Sequence, residues 1–156
     1  MGSKESDARI RIDKMLLESG WKLPGWHKDK EINVKTEIKN EHGEADYVLL
    51  NSKGFFLCTV EAKNSSKSPL VGKEKSREYA QSLRSRFIIL SNGIKHYLWD
   101  TKLGNPHLID RLPTQKYLEL RGESFNPPRD EDEVVNNDYL TLTQFPEYKK
   151  NPDFNN

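Results

Sequence analysis

At 156 residues the chain is long enough for one domain with a buried core and short for two. Charged residues make up 31%, no run of about 18 apolar residues occurs and no signal peptide is visible, so a soluble cytoplasmic protein is expected. The net charge of +1 gives no overall pull on nucleic acid, so any basic surface must be local, and the single cysteine excludes an intramolecular disulfide.

Residues 7–19 carry Ile10, Ile12, Met15, Leu16 and Leu17 at helical spacing, and Gly20 ends that helix. Trp21, Pro24, Gly25 and Trp26 form a connection. Residues 31–39 alternate, with Ile32, Val34, Thr36 and Ile38 on one face of a half-buried strand. Asn40-Glu41-His42-Gly43 turns the chain back. Two apolar strands follow, 46–50 and 55–63, with Cys58 as a small buried hydrophobe in the second. Ser68-Pro69 suits a helix entrance, and a helix is predicted over about 73–83. Phe87 to Ser91 is a strand, Asn92-Gly93 a hairpin signal, and 94–99 its return. Leu112-Pro113-Thr114 opens a short helix through Leu120. After Arg121 the composition turns to Asn-Pro-Pro, an acidic run and an Asn-rich end. Residues 1–121 therefore read as one domain and 122–156 as a linker or docked tail, with Tyr139-Leu140-Thr141-Leu142 packing on the core. The order predicts an α/β (α+β) domain around a central mixed sheet flanked by helices.

The charges of the two central strands gather at one end. A two-residue loop, Lys53-Gly54, makes pairing numbers sum to 107 and sets Asp46 opposite Glu61. A three-residue loop, Ser52-Lys53-Gly54 with a left-handed glycine, sets Asp46 opposite Val60 and Glu61 diagonally. Carboxylates facing across a ladder repel, and a divalent cation between them reverses the sign. Lys63, two residues beyond Glu61, leaves the same face. Two acids and an ammonium on one face are the parts for holding Mg²⁺ and activating water. Solvated strand ends are the plain alternative.

These stretches carry a resemblance. The first helix from Glu5 to Gly20-Trp21, Gly43-Glu44-Ala45-Asp46-Tyr47, Val60-Glu61-Ala62-Lys63, Tyr79-Ala80, Ser91-Asn92-Gly93 and Trp99-Asp100 together resemble the PD-(D/E)xK nuclease superfamily. More narrowly, residues 5–120 look like the N-terminal endonuclease domain of the restriction (R) subunit of type I restriction enzymes. The resemblance implies a restriction-endonuclease-like core. It makes Asp46, Glu61 and Lys63 catalytic. Asp46, Glu61, the Ala62 backbone carbonyl and Glu5 would be ligands of Mg²⁺, for which Mn²⁺ substitutes. It also implies a glutamine four residues before a tyrosine on the second helix; here these positions are Lys75 and Tyr79, which would position DNA. Ala45 stands where the family's proline would be, and Glu44 is a spare acid.

The implied partners are double-stranded DNA and the methylation and specificity subunits of a parent complex. No phosphate loop of the Gly-x-x-x-x-Gly-Lys-Ser/Thr type is present, so ATP belongs only to a motor absent from this chain. The chain then reads as an excised nuclease domain or a free-standing relative. Lys67, Lys73, Lys75, Arg77, Arg84 and Arg86 flank the site as phosphate contacts or as a solvated face. Two other readings stand beside the endonuclease: a nuclease-fold docking or DNA-binding module without catalysis, and a superfamily nuclease acting on branched DNA or RNA.

Overall fold

The computed structural model describes residues 3–124, with side chains from 6 to 122. Six strands form one sheet in chain order: β1 (Val34–Asn40), β2 (Gly43–Leu50), β3 (Phe56–Ala62), β4 (Phe87–Ser91), β5 (His96–Asp100) and β6 (His107–Ile109). All neighbours are antiparallel except β3 and β4, which are parallel. A parallel pair needs a crossover, and helix α2 (Lys73–Ser82) lies in it. Helix α1 (Ser3–Glu18) precedes the sheet and α3 (Gln115–Ser124) follows it. The sheet, α1, α2 and the first turn of α3 belong to a compact unit ending at Leu118. The fold is thus the α+β arrangement expected, a mixed sheet flanked by helices. No helix among the described residues is long and apolar enough to cross a membrane.

Strand alternation divides the core in two. Tyr47, Leu49, Cys58, Val60, Phe87 and Ile89 face Ile12 and Leu16 of α1, Trp21, and Leu118 of α3. On the other face, α2 lays Tyr79 over Ala45, Val48 and Leu50, and Ala80 over Ile88, Leu90 and Trp99. Each Val, Leu, Ile or Phe side chain among them contributes about 1.5–3 kcal/mol when fully buried. Ser19 Oγ donates to the Leu112 carbonyl at 2.6 Å and the Trp21 indole N–H to the Pro113 carbonyl at 2.9 Å, tying the exit of α1 to the entrance of α3.

Several boundaries differ from the sequence reading. β1 starts at Val34, because Asp29–Glu31 forms a 3-10 turn and Asn33 bonds back to Lys22. Helix α2 starts at Lys73 as expected, but its entrance is Gly72, because Ser68 caps a separate turn through the Leu70 N–H. The β4–β5 loop has four residues, with Asn92 Oδ1 accepting from the Ile94 and Lys95 N–H groups. Strand β6 is additional; three residues are too few for a periodic signal. The proposed tail from 125 onward, with Tyr139-Leu140-Thr141-Leu142, and the side chain of Glu5 lie outside the described residues.

Candidate active site

The β2–β3 hairpin combines features of both loops considered from the sequence. Asn51 and Phe55 close a three-residue loop: the Asn51 N–H donates to the Phe55 carbonyl, and Asn51 Oδ1 accepts from the Lys53 and Phe55 N–H groups. Gly54 takes φ +88, as that loop demands. Leu50 then pairs with Phe56, but Leu49 pairs with Cys58, so Leu57 is an extra residue in a bulge. Beyond the bulge Leu49↔Cys58, Val48↔Thr59 and Tyr47↔Val60 hold one register. Carried one residue further, it sets Asp46 across from Glu61.

Around that pair the geometry is tight. Asp46 Oδ2 accepts from the Ala62 N–H at 2.7 Å. An extended residue's N–H and C=O leave the same strand edge, so the Ala62 carbonyl is on the Asp46 side as well. Lys63 Nζ is 3.9 Å from Glu61 Oε2, and the Lys63 N–H donates to the Ser91 carbonyl at the end of β4. Side chains 46, 61 and 63 are 20%, 21% and 24% exposed, so water reaches all three without screening them fully.

Glu61 and Lys63 open into a cavity of about 480 Å³. The β1–β2 turn supplies one wall through Lys39, His42, Gly43 and Glu44. Helix α2 supplies another through Gly72, Lys75, Ser76 and Glu78. These walls meet because Gly43 has φ +144 and lies directly on Tyr79; a Cβ there would come within 3.3 Å of the Tyr79 Cβ.

The second helix divides its predicted pair. Lys75 lines the cavity with Glu61 and Lys63, whereas Tyr79 is buried beneath it. The Tyr79 hydroxyl has no hydrogen-bond partner among the described residues. Burial pushes its pKa up, and the carboxylates of Glu44 and Glu61 push it the same way. The other basic residues are partly engaged. Lys73 and Arg77 lie 3.0 and 2.6 Å from Glu74 carboxylate oxygens and stand over the Trp99 ring at 4.8 and 5.9 Å. Arg86 forks onto Asp100 at 2.7 and 3.0 Å.

Two residues absent from the sequence reading also reach the site. Arg9 of α1 lies 3.9 Å from Asp46 Oδ1 and 3.0 Å from Glu37 Oε2. Glu37 is unusual in itself, with φ +52 inside a strand. An arginine on a polar helix face gives no signal in sequence, and neither does a glutamate in an alternating strand. The Lys39 and His42 wall was equally invisible, since it depends on the turn reaching α2.

No protein-family model and no curated protein matches the chain. A solved structure does. The chain has a restriction-enzyme-like fold. Its match is a fragment structure assigned to an HsdR subunit of a type I restriction enzyme from Vibrio vulnificus YJ016, at 25% sequence identity and a TM-score of 0.62. The alignment covers 82% of this chain and 27% of that one.

Proposed function

We propose that this chain is a metal-dependent endonuclease domain related to the R subunit of type I restriction enzymes, hydrolysing phosphodiester bonds of double-stranded DNA in the cytoplasm. The observation that carries the reading is that Glu61 and Lys63 open into a charged cavity while Asp46 on the neighbouring strand accepts from the Ala62 N–H between them, on a fold shared with an HsdR fragment.

The donor set fits Mg²⁺. That ion is commonly held by one or two carboxylates, its other positions going to water and substrate phosphate. Asp46 and Glu61 supply two carboxylates, and the Ala62 carbonyl lies on the same edge. Bound there, Mg²⁺, or Mn²⁺ in its place, supplies Lewis acidity and lowers the pKa of a water.

The chain's own residues do the rest. Lys63 places a positive charge beside Glu61, where negative charge accumulates as a phosphate is attacked. Lys75, across the cavity, offers a second charge to the strand. Tyr79 packs beneath the same cavity with a buried hydroxyl that has no partner among the described residues, near the carboxylates of Glu44 and Glu61. Nothing in this unit reads base sequence, so specificity falls to methylation and specificity subunits of a parent complex, and ATP to a motor elsewhere in it.

Glu61→Ala and Lys63→Ala are expected to reduce Mn²⁺-dependent cleavage of duplex DNA by at least about a hundredfold. Circular dichroism should stay native, because neither side chain is in the core. Cleavage at the wild-type rate by either variant rejects the assignment. A docking module without catalysis is the second reading, favoured by the lysine at position 75. DNA binding with no cleavage by the wild type, when motor and partner subunits are supplied, selects it.

A further inference from the structure

Arg9 joins three elements at one point. Its guanidinium is 3.0 Å from Glu37 on β1 and 3.9 Å from Asp46 on β2. It also covers the Tyr47 ring at 5.4 Å. The Tyr47 hydroxyl donates to Asp13 at 2.6 Å and lies 3.2 Å from the Arg9 carbonyl, so the helix segment carrying Arg9 is pinned as well. The pairs Thr36↔Tyr47 and Ile38↔Ala45 bracket Glu37 and Asp46, so the two carboxylates that Arg9 reaches come from the same level of neighbouring strands.

Glu37 holds its place at a cost. It keeps φ +52 without being glycine and drops out of the ladder between two regular pairs. Strain of this kind persists where its surroundings enforce it, and it gathers at functional sites. Here the strained residue presents its carboxylate to Arg9. The Glu37 side chain is 72% exposed, Arg9 30% and Asp46 20%, so the charges run from solvent inward to Asp46.

A guanidinium is always cationic, and a divalent cation on Asp46 would share that carboxylate with it. We propose that Arg9 is a positioning residue that sets how tightly Asp46 and Glu61 hold a divalent cation, and that Glu37 draws Arg9 away from Asp46. This rests on the metal site proposed for Asp46 and Glu61. Arg9 lowers the affinity of that site, and Glu37 limits the loss. A substrate phosphate, which arginine binds through two parallel hydrogen bonds, is the natural group to draw Arg9 off completely.

The test is calorimetric titration of Mn²⁺ into the wild type, Arg9→Gln, Glu37→Gln and the double variant, with Glu61→Ala as reference. Arg9→Gln is expected to tighten binding roughly tenfold. Glu37→Gln should weaken it, because Arg9 then moves onto Asp46. In the Arg9→Gln background, Glu37→Gln should have little further effect, which separates relay through Arg9 from loss of a nearby negative charge. A residue that merely braces the fold would not give opposite signs. Unchanged or weaker binding in Arg9→Gln overturns the proposal, as does a full Glu37 effect in the double variant. Glu37 is exposed, so its variant stands as a test even where Arg9→Gln folds poorly. The metal site itself fails on a different result: no binding by either the wild type or Arg9→Gln, or binding that Glu61→Ala leaves intact.

Discussion

Ser91 and His96 face each other where β4 turns into β5, with Ser91 Oγ 2.8 Å from His96 Nδ1. The Gly93 N–H donates to the same hydroxyl oxygen. Burial holds the His96 pKa below the usual 6.5, and Asp110 opposes the shift without reversing it. The unfolded chain therefore takes up this proton first as pH falls. Stability from this site is complete above about pH 6.5 and drops as pH falls toward the folded-state pKa, by up to roughly 1.4 kcal/mol per pH unit. Urea melts between about pH 7 and pH 5 should show that slope, and His96→Gln should flatten it. The pair adjoins the site through Ser91, whose carbonyl accepts the Lys63 N–H. At this scale the sequence was informative where charge interrupts an apolar run, as at Asp46 and Glu61. It was silent at Arg9 and Glu37, whose roles depend on a helix and a strand 28 residues apart.

Helix α2 ends in a motif built for glycine. The Ser85 N–H donates to the Ala80 carbonyl and the Arg84 N–H to the Gln81 carbonyl, with Arg84 left-handed at φ +59. An L-residue other than glycine at that position is strained. Arg84→Gly should stabilise the protein by about 0.5–1 kcal/mol, seen as a higher denaturant midpoint with unchanged m-value. Among the six basic residues that flank the site in sequence, Arg84 is therefore the one whose replacement combines a stability gain with a test of its part in phosphate binding. Element types were legible where the pattern is plain: α1 follows from helical spacing and β4 from an unbroken apolar run. Loop length was not. The β2–β3 turn has three residues, yet the bulge at Leu57 restores the register a two-residue loop would give. Deciding between those loops in the sequence had no means of seeing a bulge, since an extra leucine in an apolar run is indistinguishable from a paired one.

Across the whole unit, the sheet is ordered as the chain is, and its one parallel pair holds the site at the strand end where the crossover begins. Antiparallel neighbours form locally, whereas β3 and β4 meet only after α2 has been placed, so Lys63 and the cavity wall from α2 are assembled by the same long-range step. The mixed sheet could be inferred from element order. The meeting of the β1–β2 turn with α2 could not, because it rests on the absence of a side chain at Gly43.

Glu37 has a second consequence, for how copies of this protein behave together. β1 is an outer strand of the sheet, paired on one side by β2 among the described residues. A long straight strand there offers its bare backbone to any other chain, the usual start of aggregation. The left-handed turn at Glu37 breaks that row near its middle, and exposed Lys35 and Lys39 stand on either side. Glu37→Val, which disfavours the turn and removes a charge, should aggregate faster on gentle heating by light scattering than Lys35→Val, which only removes a charge. The distortion that presents a carboxylate to Arg9 is thus also expected to keep copies of the protein apart, and straightening it should lower solubility together with the proposed metal affinity.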